Sequence, residues 1–239
     1  DGGARNGVTD MPYSLIPNYT AAYGEYEHGI PVGSWRAPDA NWNTFVTEAF
    51  IDELAHAAGK DPVAFRLALL PPDSPAAQCL RTAAKRGQWG KPRGGAEIHQ
   101  GVAVMVWNGS IGALVADVSM QDGLPKVHHV SAVVHLGTVV NPQIVVAQTQ
   151  SAINYGLSAA LTGKITIKNG RVEQSNFDSF TVLHLKDAPT IDVYALPSQE
   201  PPTGIGELGL PGIAPAVAAA VFSATGKRIR TLPFSDALA

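Results

Sequence analysis

The stretch "HQGVAVMVWNGSIGALVADVSMQDGLPKVHHVSAVVHLG", residues 99–137, decides the fold class. Within it "HQGVAVMVW" (99–107), "GALVADVSM" (112–120) and "KVHHVSAVVHLG" (126–137) have the two-residue period and the β-branched content of three successive strands. Gln121-Asp122-Gly123 supplies a turn between the last two. Strands that follow one another so closely pair antiparallel, which predicts a meander.

Working outward, the period changes on both sides. Upstream, Phe45, Val46, Ala49, Phe50, Leu54 and Ala57 recur at helical spacing from Asn41, and Gly59 supplies the stop. Asp61-Pro62 starts a second, short helix, "PVAFRLALL", ended by Pro71-Pro72, and "AAQCLRTAAKRG" (76–87) reads as a third. Residues 1–40 show no sustained period beyond a strand around "PNYTAAYGEY" (17–26). Downstream, Asn141-Pro142 opens a helix to about Leu161. "KITIKNGRVEQ" (164–174) reads as a hairpin with Asn169-Gly170 at its tip. "FTVLHL" (180–185) and "TIDVYALP" (190–197) read as strands. "APAVAAAVFSAT" (214–225) is a buried helix ended by Gly226, with Lys227, Arg228 and Arg230 past its negative pole. The predicted class is α+β, with antiparallel meander strands and packed helices. The polar, glycine-rich "GKPRGGAEI" (90–98) is the best internal boundary, giving a 1–94 segment and a 95–239 subdomain.

The 239 residues, 45% of them hydrophobic, are enough to bury a core, and the net charge of −3 lacks the basic field that nucleic acid requires. One cysteine, Cys79, cannot form an internal disulfide, a thiolate zinc site or an iron–sulfur cluster. Apolar runs fall short of the roughly 20 residues that span a bilayer, and no signal-peptide pattern opens the chain, although export stays open. Asp1 in place of Met is expected of a chain processed, cleaved from a longer one, or trimmed.

In "PPTGIGELGLPGIAPAVAAAVFSATGKRIR" Gly204, Gly206 and Gly209 spell G-x-G-x-x-G. A dinucleotide turn needs a strand running straight into the glycines and an acid about 20 residues on, at the end of a following strand. Pro197, Pro201 and Pro202 intervene, and no such acid follows. What remains is Glu207 between glycines, ahead of an apolar helix. A carboxylate on so slight a loop can approach a cofactor closely, and shielding from water suits a general base. The residues alone leave open a second role, in which Glu207 simply favours the positive end of the next helix.

Three stretches carry a resemblance. "GSWRAPDANWNTFVTEAFIDELAHAAGKDPVAFRLALL", "HLGTVVNPQIVVAQTQSAINYGLSAALTGKITIKNGRVEQSNFDSF" and "PPTGIGELGLPGIAPAVAAAVFSATGKRIRTLP" resemble, in order, the C-terminal part of the molybdopterin-binding subunit of molybdenum hydroxylases. Within the xanthine dehydrogenase family they are most similar to the isoquinoline 1-oxidoreductase beta subunits and membrane-associated aldehyde dehydrogenases. The resemblance implies a molybdopterin-binding domain fragment and a water-dependent hydroxylation of an N-heteroaromatic compound or an aldehyde, with Glu207 as the base facing molybdenum. It implies molybdopterin cytosine dinucleotide as the cofactor, with the metal held by the pterin and by no protein ligand.

"SWRAP" matches the loop at the metal end, which implies that Arg36 and Ala37 approach the cofactor and that Trp35 and Arg36 line the substrate pocket. The plain alternatives are packing for Trp35 and an ion pair with Asp39 for Arg36. "GTVVNPQIVVAQ" matches the turn and helix that hold the pterin dinucleotide, which implies roles for Gly137, Thr138, Asn141 and Gln148, with Gly206 beside the base. Asn141 as cap would leave backbone donors for a phosphate or pterin oxygen. Two departures stand out: Gln150-Ser151-Ala152 in place of Glu-Gly-Gly, and His135-Leu136-Gly137 in place of Asp-Cys-Gly.

The implied partners are the remaining N-terminal part of the molybdenum subunit, a separate [2Fe–2S] subunit, a cytochrome c or other electron acceptor, and a small-molecule substrate. The implied location is the bacterial periplasm or the periplasmic face of the membrane, with the cytoplasm open. Two other readings stand beside this one: a non-catalytic structural or assembly component, and a nucleotide-binding module using "GIGELG". None of the seven histidines has zinc-motif spacing. His128 and His129, adjacent on a strand, are expected on opposite faces, and His56 and His184 read as surface or core hydrogen-bonding residues.

Overall fold

The computed structural model describes residues 6–22, 24, 29–31 and 33–238. In chain order, α1 (Ala40–Ala57), α2 (Pro62–Ala68) and α3 (Pro75–Arg86) precede the strands β1 (His99–Trp107), β2 (Ser110–Gln121) and β3 (Leu124–His135). Then come α4 (Pro142–Thr162), the short strands β4 (Ile167–Lys168) and β5 (Arg171–Val172), β6 (Thr190–Ala195), α5 (Gly209–Thr225) and α6 (Phe234–Ala237). The main sheet has the order β1-β2-β3-β6, and β4 and β5 form the expected hairpin.

The three strands of 99–137 pair antiparallel as expected. β6 departs from the meander: it lies parallel to β3, with Val130 opposite Ile191. Parallel neighbours need a long crossover, and the chain between β3 and β6 contains α4. Both faces of the sheet are covered. Ala103, Met105, Leu114 and Ala116 pack with α5, while Val102, Val104, Ala113 and Val115 pack with α2 and α3. This double burial explains why the strands read as almost continuous apolar runs. The helices before the 90–98 connector therefore share a core with the strands after it.

Three expectations need correction. "FTVLHL" forms no strand: residues 180–184 are irregular, Leu185–Asp187 is a single 3-10 turn, and Leu185 is 93% exposed, so this segment has no buried face to pair. No strand forms in the described part of 17–26, and Tyr23, Glu25 and Tyr26 lie outside the described residues. His128 and His129 do not alternate. A bulge opposite Asp117 and Val118 inserts one extra β3 residue, so both rings meet the same face of β2. His128 Nε2 lies 2.7 Å from Ser119 Oγ, and His129 Nδ1 lies 3.9 Å from Asp117 Oδ2. Burial, with Arg93 beside it, pushes the His129 imidazole below its usual range.

The helix α1 forms where expected but is turned about. Its interior side carries Thr44, Glu48 and Asp52 beside Phe45 and Ile51, and Val46, Phe50 and Leu54 face solvent. The cause is an ionic cluster. Glu48, 2% exposed, accepts from Arg66 Nε at 3.0 Å, from the Val104 backbone N–H at 3.0 Å and from the Tyr13 hydroxyl at 2.5 Å. Arg66 also donates to the Glu48 carbonyl, at 3.0 Å, and Asp52 accepts from Arg228 at 2.5 Å. Burial works against the Arg66 charge, and Glu48, Tyr13 and Asp52 outweigh it, holding the guanidinium above its usual range. β1 is an edge strand, and the Glu48 carboxylate satisfies one of its outward N–H groups. Removing one partner from a buried ion pair costs about 3–5 kcal/mol. Glu48→Ala should lower the unfolding free energy by that amount in urea titrations, while Val46→Ala on the exposed face changes it by less than about 0.5 kcal/mol.

Candidate functional site

The site is assembled on the tight turn that opens α1. Ala37 (φ 57°) and Asp39 (φ 63°) both take left-handed backbone geometry, which costs a non-glycine residue of order 1–3 kcal/mol. The Asn41 N–H closes the turn on the Ala37 carbonyl at 3.0 Å. This geometry directs the Ala37 N–H to Glu207 Oε1, at 2.9 Å. The other carboxylate oxygen, Oε2, accepts from the indole Nε1–H of Trp107 at 2.5 Å. Glu207 itself is partly buried, one residue before Leu208 and the start of α5, which begins at Gly209. The carboxylate is thus fixed at both oxygens by two rigid donors, one from the α1 turn and one from the end of β1.

Arg36 ties the same turn to two other elements. Its Nε donates to the Gly206 carbonyl at 2.8 Å, and a terminal nitrogen donates to the same oxygen. The other terminal nitrogen reaches Ser151 Oγ at 2.9 Å, and Gln148 Oε1 accepts at 3.1 Å. All three guanidinium nitrogens are therefore engaged within the protein. Burial lowers the Arg36 pKa and Glu207 acts against that lowering, leaving a permanent cation beside the carboxylate. Gln148, Ser151 and Tyr155 follow at helical spacing along one side of α4. Trp35 donates to the Tyr155 hydroxyl at 3.1 Å and stacks on its ring with centroids 5.1 Å apart.

The structure thus brings together Trp35, Arg36, Ala37, Gln148, Gly206 and Glu207, drawn from three distant stretches. Gly137, Thr138 and Asn141 belong to a different place, at the start of α4. Asn141 caps that helix, but its Oδ1 accepts both the Gln143 and Ile144 N–H groups, at 3.0 and 3.2 Å, and Pro142 has none to offer. An anion at this terminus would have to displace the cap. The Thr138 N–H and hydroxyl both donate to the Glu200 carbonyl at 2.8 Å. Gly137 is required by the neighbouring chain, since a Cβ there would fall 2.0 Å from the Pro201 carbonyl oxygen.

Gly206 differs. No heavy atom lies within 4 Å of the place its Cβ would take, so the loop next to Glu207 opens onto free space. The residues at this end of the site fit a molybdopterin group, which would meet a glycine face, a fixed carboxylate and the Gln148 side chain, whose amide nitrogen has no partner among the described residues. Trp35 also stands between two open cavities. One, of about 490 Å³, is lined by Ser151, Tyr155, Phe180 and His184. The other, of about 430 Å³, lies between α1 and α4. His56 Nδ1 lies 2.8 Å from the Asp52 carbonyl oxygen, and its ring meets Phe222 edge-on. Among the described residues no group of three or more His, Cys, Asp or Glu is placed to hold a metal ion.

Sequence reasoning missed Trp107, Ser151 and Tyr155. The last two could have been found from their three- and four-residue steps after Gln148. Trp107 carried no local signal, because its partner lies 100 residues away. The dinucleotide reading finds no support in the geometry. β6 ends at Ala195, well before the glycines, and no strand follows α5 among the described residues. Gly204 lies against Asn108 and Gly209 against the Thr149 carbonyl, so both serve packing.

Residues 81–189 match a family model described as a molybdopterin cofactor-binding domain. The chain is 32% identical over 227 residues to a membrane-bound aldehyde dehydrogenase [pyrroloquinoline-quinone] of Gluconacetobacter polyoxogenes, an alignment covering 86% of this chain and 29% of the relative. It is 33% identical over 199 residues to isoquinoline 1-oxidoreductase subunit beta of Brevundimonas diminuta, covering 82% of this chain and 26% of that one. The chain thus spans under a third of the length of these relatives. Among solved structures, quinoline 2-oxidoreductase from Pseudomonas putida 86 superposes with a TM-score of 0.73 at 12% identity, over 85% of this chain and 52% of that chain. The aldehyde oxidoreductase of Desulfovibrio desulfuricans gives 0.70 at 14% identity, over 86% and 41%. These two likenesses confirm the α+β fold.

Gly206 and Gly137 separate access from packing. Gly206→Ala should leave the unfolding free energy within about 0.5 kcal/mol of the parent. Gly137→Ala, which combines a left-handed backbone with a collision against Pro201, should lower it by more than about 1 kcal/mol in the same titration.

Proposed function

Since the chain belongs to the molybdenum hydroxylase family, as a part of its molybdopterin-binding subunit, we propose that it forms one wall of the catalytic site and that Glu207 is the general base. The reaction is the hydroxylation of an aldehyde or an N-heteroaromatic compound with oxygen from water. The observation that carries this reading is the carboxylate held at both oxygens beside the open face of Gly206.

When bound, the molybdenum cofactor would activate water and take up two electrons from the substrate. The chain's own residues do the rest. Ala37 N and Trp107 Nε1 each occupy one lone pair of Glu207 and leave another on each oxygen, so the carboxylate is oriented yet able to accept a proton. Arg36 locks the Gly206 carbonyl and keeps the loop from turning the base away. Gln148, its oxygen held by Arg36, presents an amide donor to the cofactor. Ser151, one of the residues by which this chain departs from its relatives, accepts from Arg36. This engagement favours a working site over a purely structural component.

The proposed form of the cofactor is the cytosine dinucleotide. Electrons are proposed to leave through [2Fe–2S] clusters of another subunit to a cytochrome c or other acceptor. Cys79, the sole thiol of the chain, is buried, and burial pushes its pKa up to about 12, which leaves it unfit to ligate such a cluster. Among the described residues no helix is long and apolar enough to cross a membrane. The proposed location is the periplasm or the periplasmic face of the membrane, with the cytoplasm as the alternative.

Glu207→Gln in the assembled enzyme should retain molybdenum and pterin and lose turnover by roughly 10²–10⁴-fold, the usual worth of a positioned base. Near-parental turnover by that variant would remove the assignment.

A further inference from the structure

The helix α1 carries its apolar side outward. Trp42, Val46, Phe50 and Leu54 succeed one another every four residues, a stripe spanning about 120° of the helix at about 100° per residue, and they are 52, 63, 59 and 39% exposed. The opposite side holds Thr44, Glu48 and Asp52 in the interior. A helix on the outside of a finished globule has the reverse arrangement, and a contiguous exposed patch of large apolar side chains marks an interaction surface. At its N-terminal end the stripe runs into the 430 Å³ groove between α1 and α4, where Trp35, Trp42, Val46 and Leu232 are exposed and the buried Leu210 and Ala214 line the floor. Trp35 immediately precedes Arg36 and Ala37. Whatever fills the groove therefore touches the segment that holds Glu207.

We propose that this stripe and groove seat the remainder of the molybdopterin-binding subunit through an apolar segment of it. The inference rests on the family reading above. Two relatives are more than three times as long as the stretch matched here, at 29% and 26% coverage, so in them a large body of the chain lies outside the matched stretch. The wall formed by Glu207 and Gly206 is open on its far side, and the groove adjoins that wall. A lipid surface fits poorly. Helices that lie on membranes carry Lys and Arg on their polar side, whereas α1 has neither and bears Glu48, Asp52 and Glu53.

The test places the photo-crosslinker p-benzoylphenylalanine at Phe50, an exposed aromatic position, in the intact complex, and maps the adducts by mass spectrometry. The expected adducts are peptides of the molybdopterin-binding subunit from outside residues 1–239. Adducts to a second copy of this chain, to the iron–sulfur subunit or to lipid, or no adduct at all, would overturn the proposal. Molybdenum and pterin content of the same sample reads the functional assignment separately. A loaded complex with adducts elsewhere refutes the surface alone, and a complex without molybdenum whose adducts still map to the remainder refutes the function alone.

Discussion

The structure of the site depends on one carboxylate receiving two hydrogen bonds, one at each oxygen. Ala37 N and Trp107 Nε1 belong to segments 170 and 100 residues from Glu207, and neither could hold it without the framework that sets their separation. That framework is itself polar. Glu48 ties α1 to the free edge of β1 through Val104, so the helix that follows Ala37 and the strand whose last residue is Trp107 are joined directly. The strained turn at Ala37 and Asp39 is tolerated because α1, Arg36 and Glu207 all constrain it.

The buried ion cluster also explains why α1 points its apolar residues outward. With Arg66, Glu48 and Asp52 paired inside, the apolar stripe is left for another surface, and the groove beside it leads to the same turn. Packing and the proposed site are linked here through one helix, with its charged side in the core and the turn before it orienting Glu207.

Much of this was legible in the sequence where the signal is local. The strands of 99–137, the Pro-led helices and the Asn169-Gly170 hairpin follow from periodicity and turn chemistry, and Glu207 stood out between its glycines. Nonlocal features were not legible. The orientation of α1 depends on Arg66, whose charge gives no hint that it is buried, and β6 chose a parallel partner that no alternation pattern encodes. The bulge at His128 reversed a face that strict alternation would assign. "FTVLHL" had strand composition but found no neighbour to pair with. At the start of α4, away from Glu207, Asn141 is the expected cap, yet capping consumes the donors that a phosphate would have used.

A structure of the intact assembly with its cofactor bound tests the central claim most directly. The account predicts the Glu207 carboxylate facing the molybdenum across the open side of Gly206, still held by Ala37 and Trp107. A cofactor seated elsewhere, with Glu207 remote from the metal, would contradict it.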